Sequence, residues 1–322
     1  MILIKRKAPG QISSLQVIAL FGSGLIGKAI EHAIIRDQPQ SLHSLSFDWF
    51  DPRLRSGDAK QLKEAIIGTA AQSGNISQID VVWAAGKAGF GATAEELAAE
   101  MHPFEDVVEL SEALAALVPN AKHRFHYMSS AGGLYEGQRF VERGAEPRPR
   151  RPYGEAKLIQ ENRVTGMQPE IVTMIYRLSS AYGFSGPNGR VGLISALIAN
   201  AVKHSTSQIF GAADTLRDYV LSKDVGDFVA DRINEIADQS QVNILASGKP
   251  SSMHEILDTV ARVTGRRLYY QQSLSPSNAG HITFLRSALP RTWRPTDLET
   301  GIRQVARQLS SSFALGDASR PL

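Results

Sequence analysis

The feature that most restricts this chain is a glycine turn set between an apolar run and an amphipathic one. Leu15-Gln-Val-Ile-Ala-Leu-Phe21 has the length and near-continuous apolar character of a buried strand. It passes directly into Gly22-Ser23-Gly24-Leu25-Ile26-Gly27, and Lys28 to Arg36 carries apolar residues at helical spacing. A strand, a tight turn and a helix in so few residues force the helix back against the strand. Each glycine has a physical reason: the tight turn, close approach of backbone to a ligand, and close helix–strand packing. The helix start then presents unpaired N–H groups and partial positive charge, the arrangement that holds the pyrophosphate of a dinucleotide.

The rest of the chain supplies a sheet for that turn. Strands are expected at about Leu45 to Phe50, Ile79 to Ala85, Arg124 to Ser130 and Ile171 to Tyr176. Helices are expected at 58–72, 93–101, 105–117 and from Tyr153, then near 191–203, 223–237 and 252–265. Strands alternating with helices imply a doubly wound parallel α/β sheet, a Rossmann arrangement, with a small C-terminal α+β substrate-binding part. The expected division is a dinucleotide-binding domain over 1–176 and a mainly substrate-binding part over 177–322, interleaved with the first.

Composition removes other classes. Apolar residues at 43% and charged residues at 21% are ordinary for a globular chain. No apolar run reaches the roughly 18 residues of a membrane span. The absence of cysteine excludes disulfides, thiolate nucleophiles and cysteine-bound zinc, and is compatible with a cytoplasmic location. The eight histidines form no metal-binding spacing, so no metal is expected. A net charge of +3 does not call for nucleic acid.

At the cofactor site, the acid that takes the adenosine ribose belongs at the end of the second strand, about 20 residues past the glycines. Asp48 lies 21 and Asp51 lies 24 residues past Gly27, and strand-terminal Asp51 is the better placed. A carboxylate there favours NAD. Arg53 and Arg55 follow it and keep NADP possible. Tyr153-Gly-Glu-Ala-Lys157 places a phenol and an ammonium one helical turn apart. The cation favours the phenolate, which makes Tyr153 a general base toward an alcohol or, protonated, a general acid toward a ketone. Ser129-Ser130 ends a strand 23 residues before Tyr153, so the Ser130 hydroxyl is expected in the crevice where a nicotinamide lies.

These segments in this order resemble the extended short-chain dehydrogenase/reductases, in particular the NAD-dependent epimerase/dehydratase branch that modifies nucleotide sugars. The likeness runs from about residue 15 to 306. It is carried by the glycine turn, Ile79-Asp-Val-Val-Trp-Ala84-Ala85 before Gly86, Ser129-Ser130-Ala-Gly-Gly-Leu-Tyr135 and Pro152-Tyr153-Gly-Glu-Ala-Lys157-Leu-Ile-Gln-Glu161. Later segments also match: Arg177-Leu-Ser-Ser180-Ala-Tyr182-Gly, Ile209-Phe-Gly211 with Arg217-Asp-Tyr-Val220, and Arg294-Pro295-Thr-Asp-Leu-Glu299. The resemblance implies Tyr153 as acid/base, Lys157 as its electrostatic partner and ribose contact, and Ser130 as substrate hydrogen-bonder. It implies Ser180, Arg190 and Arg217 as substrate contacts, with Arg217 on the diphosphate. It implies cofactor contacts from residues 22–27, Asp51, Arg53, Ala84, Ala85, Gly86, Tyr153 and Lys157. A homodimer through the helices over 107–117 and 153–166 is a further implication.

Departures from the family pattern narrow the chemistry. Phe21 stands where glycine is usual, and the Gly-Asp-x-x-Asp adenine element after the third strand is missing. Acidic Glu105-Asp106 replaces the usual asparagine in that region, and Ser180 stands for asparagine. The serine segment lacks the Thr-Asp-Glu arrangement of the 4,6-dehydratases, which favours epimerisation or simple oxidoreduction over dehydration. The competing expectations are an NAD(P)H-dependent reductase of a keto-sugar or small carbonyl, and a non-catalytic NAD(P)-sensing protein.

Overall fold

The computed structural model describes residues 1–9, 14–36, 40–73, 75–89, 91–186, 192–235, 238–273 and 280–317. In chain order the first half runs β1 (Ile2–Lys7), β2 (Leu15–Phe21), α1 (Leu25–Arg36), β3 (Gln40–Ser44), α2 (Pro52–Ser73), β4 (Ile76–Trp83), α3 (Ala94–Leu117), β5 (Lys122–Ser130), the short α4 (Ala131–Leu134), α5 (Pro152–Thr165) and β6 (Ile171–Leu178). The second half is β7 (Ser180–Tyr182), α6 (Leu193–Val202), β8 (Thr206–Phe210), β9 (Leu216–Arg217), β10 (Tyr219–Leu221), α7 (Ser222–Asn234), β11 (Gln241–Leu245), β12 (Ser251–Ser252), α8 (Met253–Thr264), β13 (Tyr269–Ser273) and α9 (Leu298–Asp317).

A seven-stranded sheet in the order β11-β6-β5-β4-β2-β1-β3 forms the centre. All its neighbours are parallel except at β1, which runs antiparallel to both β2 and β3. Alternate residues of β2 and β4 feed two cores. Ile18, Leu20 and Val82 face α1 and α7 with Ile30, Val225 and Val229, while Val17, Phe21 and Trp83 face α2 and α3 with Leu62, Phe104 and Val107. A third cluster, from Tyr182 and Ile194 through Ile256 to Ile302 and Leu309, closes the C-terminal part on itself. The chain nevertheless re-enters the main sheet through β11, so the two parts interleave.

The structure corrects the expected elements in three places. The strand expected at Leu45 to Phe50 lies earlier, at Gln40–Ser44, and residues 45–51 form a connection. The polar lead-in before Leu15 contains β1, whose Arg6 is buried because its Nε donates to Gln16 Oε1 at 2.8 Å. The helices expected at 93–101 and 105–117 are one, running through Pro103 and opened by a Thr93/Glu96 capping box.

Beneath the sheet, Asp80 and Arg124 form a fully buried pair at 2.7 Å. Arg124 also donates to the carbonyls of Arg232, Ile233 and Glu235, and Gln16 and Gln78 add amide donors to Ile233. Those carbonyls end α7 and have no partner within the helix. The network therefore fixes α7, which packs on α1 so closely that a Cβ on Gly226 would lie 2.3 Å from the Ala29 carbonyl oxygen. His126 bridges Asp80 and the Tyr176 hydroxyl there, and burial lowers its pKa. His123 is likewise buried and meets the Val118 carbonyl, so both histidines belong to the packing of the sheet.

Candidate active site

The glycine turn is built as its spacing requires. Gly22 sits at φ +111°, and a Cβ there would fall 2.5 Å from the carbonyl of Ala84 and 2.7 Å from the nitrogen of Ala85. A Cβ on Gly27 would fall 2.0 Å from the Gly22 carbonyl oxygen. These two glycines let α1 and the end of β4 close on the turn. Gly24 differs: a Cβ there meets nothing within 4 Å. Ser23 and Gly24 are exposed, and α1 begins at Leu25, with Ile26 half-buried behind it. An open face at the middle glycine, over unpaired helix N–H groups, fits the pyrophosphate of a dinucleotide.

The segment expected to take the adenosine ribose is reached through the connection after β3. Because β1 occupies the place beside β2, the end of β3 lies two strands from the glycine turn. Residues 45–51 carry the chain back. Phe47 packs edge-on to Phe21 at 4.9 Å and to Trp49 at 4.9 Å, and Trp49 meets Trp83 at 5.9 Å. The row continues through Phe104 to Tyr127. Asp48 spends its carboxylate on the N–H groups of Phe50 and Asp51, which hold its pKa below the usual carboxylate range. Asp51 is exposed at the start of α2 and accepts from the Arg53 N–H, with the Arg53 side chain in solvent. Arg55 is withdrawn from this edge: it is buried and paired with Asp106.

At the other end, β5 delivers Ser129 and Ser130 to the carboxyl edge. Ser130 caps α4, its Oγ accepting from the Gly133 N–H at 3.0 Å. Gly133 is also where Tyr153 rests, since a Cβ on Gly133 would lie 3.0 Å from the Tyr153 ring. Gly154 permits this, its own Cβ position lying 2.3 Å from the Gly133 carbonyl oxygen. The serine turn and the start of α5 are thus pressed together. Lys157 is buried, with its Nζ 5.9 Å from the centre of the Tyr153 ring and 5.4 Å from that of Tyr127. Burial lowers its pKa, while the carboxylates of Glu100 and Glu161 oppose that shift. Its ammonium has three N–H groups but one described acceptor, Gln160 Oε1 at 3.1 Å, which also accepts from the Tyr127 hydroxyl at 2.6 Å. A buried ammonium with donors to spare fits the ribose hydroxyls of a dinucleotide.

Residues around this pair escaped the sequence reading as active parts. Glu161, named only as the last residue of the matching segment, accepts from Ser129 Oγ at 2.5 Å and from Nε and Nη2 of Arg177, whose Nη1 donates to the Tyr135 hydroxyl. Glu100 accepts from the backbone of Lys87 and Ala88 and sits against Gly86, tying the turn after β4 to α3. Helical offsets of three and four from Lys157 could have pointed to Gln160 and Glu161, but nothing local marks Glu100.

The residues expected to contact substrate lie on β7 and its neighbours. Ser180 pairs in register with Tyr219, and its N–H donates to the Asp218 carbonyl. Arg217 is half-buried and pairs with neither Asp214 nor Asp218. Asp218 instead accepts from the backbone of Ser247 and Gly248, and burial pushes its pKa up to about 6. Burial lowers the pKa of Arg217, with Tyr219 and Glu136 as its nearest favourable partners and Arg151 as an opposing charge. Arg151, in the arginine-rich stretch before Tyr153, pairs at 2.6 Å with buried Glu136. Arg190 lies outside the described residues. No cluster of metal-binding side chains occurs among the described residues.

The model of the NAD dependent epimerase/dehydratase family matches residues 22–244. The chain belongs to that family. A Methanocaldococcus jannaschii protein named putative UDP-glucose 4-epimerase is 26% identical over 198 residues, 58% of this chain and 63% of the relative, so the match spans under two thirds of that protein. Among solved structures, the Thermus thermophilus UDP-glucose 4-epimerase in complex with NAD superposes with a TM-score of 0.72 at 17% identity, over 92% of this chain and 99% of that one. The Bacillus cereus UDP-glucuronic acid 4-epimerase, in complex with UDP-glucuronic acid and NAD, gives 0.66 at 16% identity, over 91% and 98%. At these identities the superpositions establish the fold of this epimerase/dehydratase family member. Its sheet carries an antiparallel β1 between β2 and β3. Among the described residues no helix is long and apolar enough to cross a membrane.

Proposed function

We propose that this protein is an NAD-dependent epimerase of a nucleotide sugar, with the cofactor on the glycine turn and the sugar against Tyr153. The observation that carries the reading is the buried Lys157 ammonium, one helical turn from a tyrosine whose ring rests on the serine turn. Bound NAD supplies the acceptor, and then the donor, of two electrons. The chain supplies the rest. Tyr153, as phenolate, takes the proton of a sugar hydroxyl and later returns it. Lys157 favours that phenolate through its charge and holds the cofactor ribose with its unfilled donors. Ser130 is the hydrogen-bonder of the reacting oxygen, and Arg217, half-buried and in none of the described salt bridges, takes the diphosphate. Ser180 and Arg190 complete the substrate contacts.

In this reading residues 1–176 hold the dinucleotide and 177–322 mainly the substrate, with the NAD-bound epimerases of the same fold as support for cofactor and substrate class. Exposed Leu117 on α3 and Ile159 on α5 suit a homodimer through those helices. Tyr153→Phe tests the chemistry. Turnover of UDP-hexoses should fall about a hundredfold or more, with NAD binding retained. Turnover within a few-fold of the parent would refute the assignment, and steady consumption of reduced cofactor by the parent would favour a reductase.

A further inference from the structure

The cofactor reading leaves one part of the dinucleotide without a partner. The acidic adenine element is missing from the sequence, and the strand that would carry it is absent, since α2 starts at Pro52, directly after the connection from β3. The base lies beyond the adenosine ribose, so whatever holds it must stand next to Asp51. The neighbouring residue is Phe50. Its ring is 82% exposed, the most exposed of the large hydrophobic side chains described, in a segment where Phe47 and Trp49 are packed inward. An exposed phenyl ring leaves its apolar surface in water, where burial against a flat ligand ring is favourable. Its neighbours are not arranged to cover it. Lys87, from the turn after β4, sets its ammonium 5.3 Å from the ring centre.

The turn that carries the ring is tied to its surroundings. Asp48 holds the Phe50 and Asp51 N–H groups in one turn, and the Phe47 and Trp49 rings anchor that turn to the ends of β2 and β4. The ring therefore stands at the carboxyl edge of the sheet, beside Lys87 of the turn after β4. We propose that Phe50 is the adenine platform of this site, its exposed surface taking the base while Asp51 takes the adjoining ribose. The proposal rests on the cofactor reading above. Lys87 strengthens it, because a cation against the ring is attracted to its face and leaves the remaining surface open to a second flat ring. The platform replaces hydrogen bonding to the adenine edge by stacking, which tolerates different bases better than a carboxylate does.

The test needs no turnover. The parent, Phe50→Ala, Phe50→Leu and Phe50→Trp are titrated calorimetrically with NAD and with ADP-ribose, and each apoprotein is melted. Loss of a stacked base by alanine substitution is worth about 1–3 kcal/mol, so F50A and F50L should weaken both ligands by about 5- to 150-fold. F50W should bind as the parent does, and all four apoproteins should melt alike because the ring is in solvent. F50A or F50L within twofold of the parent would overturn the proposal, as would F50W being as weak as F50A. A parent that binds neither NAD nor ADP-ribose would instead refute the cofactor reading, and this proposal with it.

Discussion

A methyl group placed in turn on Gly22, Gly24 and Gly27 separates folding from cofactor binding. On Gly22 it enters at φ +111° and 2.5 Å from the Ala84 carbonyl; on Gly27 it lies 2.0 Å from the Gly22 oxygen. Backbone atoms cannot swing aside, so each substitution costs about 1–3 kcal/mol of overpacking, and Gly22→Ala a further 1–3 kcal/mol of backbone strain. Gly24→Ala meets nothing within 4 Å and needs no left-handed backbone. It should leave the apoprotein as stable as the parent or more stable by roughly 0.4–1 kcal/mol, through the restricted unfolded chain. Its methyl would occupy the space the pyrophosphate needs, and a clash of about 1–3 kcal/mol weakens binding roughly 5- to 150-fold. Urea unfolding of the apoproteins and calorimetric titration with NAD measure the two effects. If Gly24→Ala binds NAD like the parent, the pyrophosphate does not cross the middle glycine and the assignment of this turn fails. If Gly22→Ala and Gly27→Ala unfold like the parent, the close packing of the turn is wrong.

Two further outcomes follow from the buried charges. Arg217→Leu should raise KM for a UDP-sugar by roughly 10- to 150-fold, the worth of charged hydrogen bonds of about 1.5–3 kcal/mol, with little change in kcat. Its melting temperature should fall little, because the half-buried guanidinium loses the attraction of Glu136 but no described salt bridge; a marked fall would show a structural role instead. The second outcome is a pH dependence with two opposed limbs. Burial would raise the Asp80 pKa, but the Arg124 charge and the His126 and Gln78 bonds hold it at about 2, below its ordinary 3.8. Its stabilisation, about 2 kcal/mol, is complete above pH 4 and is lost as pH falls toward 2. Asp218 has the reverse sign: burial lifts it to about 6, so its contribution is complete below 3.8 and is lost as pH rises through 6. Urea unfolding from pH 2 to 7 should show both limbs, and Asp218→Asn should flatten the upper one alone. An unchanged upper limb in that variant would refute the attribution.

The parts of this molecule that are legible in its sequence are those encoded by local pattern. The glycine turn, the apolar runs of β2, β4, β5 and β6, and the Tyr153–Lys157 spacing each declare themselves within a few residues, and the structure brings Ser130, Gly133 and Tyr153 together as the order of segments implies. What was illegible depends on distant partners. In β1 the buried Leu3 and Ile4 stand beside Lys5, Arg6 and Lys7, and Gln16 and Asn234 are among the partners that receive the buried Arg6. The displaced β3 follows from β1, since a strand inserted beside β2 moves its neighbour outward. Pro103 reads as a helix break, yet Phe104, Val107 and Val108 are buried against the sheet and keep α3 continuous. Arg55 resembles a candidate phosphate ligand until Asp106, 51 residues away, withdraws it.

The returning connection from β3 has a mechanical consequence. Beyond Leu45, which still exchanges backbone bonds with Met1, the path toward Asp51 is held mainly by interlocking rings rather than by a strand ladder. A ladder imposes a fixed repeat along the strand, whereas edge-on aromatic contacts tolerate small rotations at little cost. In the proposed cofactor reading, the nicotinamide end, fastened to β5 and α5, is therefore the stiff jaw and the adenosine end the compliant one. Amide hydrogens of residues 46–51 should accordingly exchange faster than those of β5, and a dinucleotide that settles there would tighten the looser jaw against the firmer.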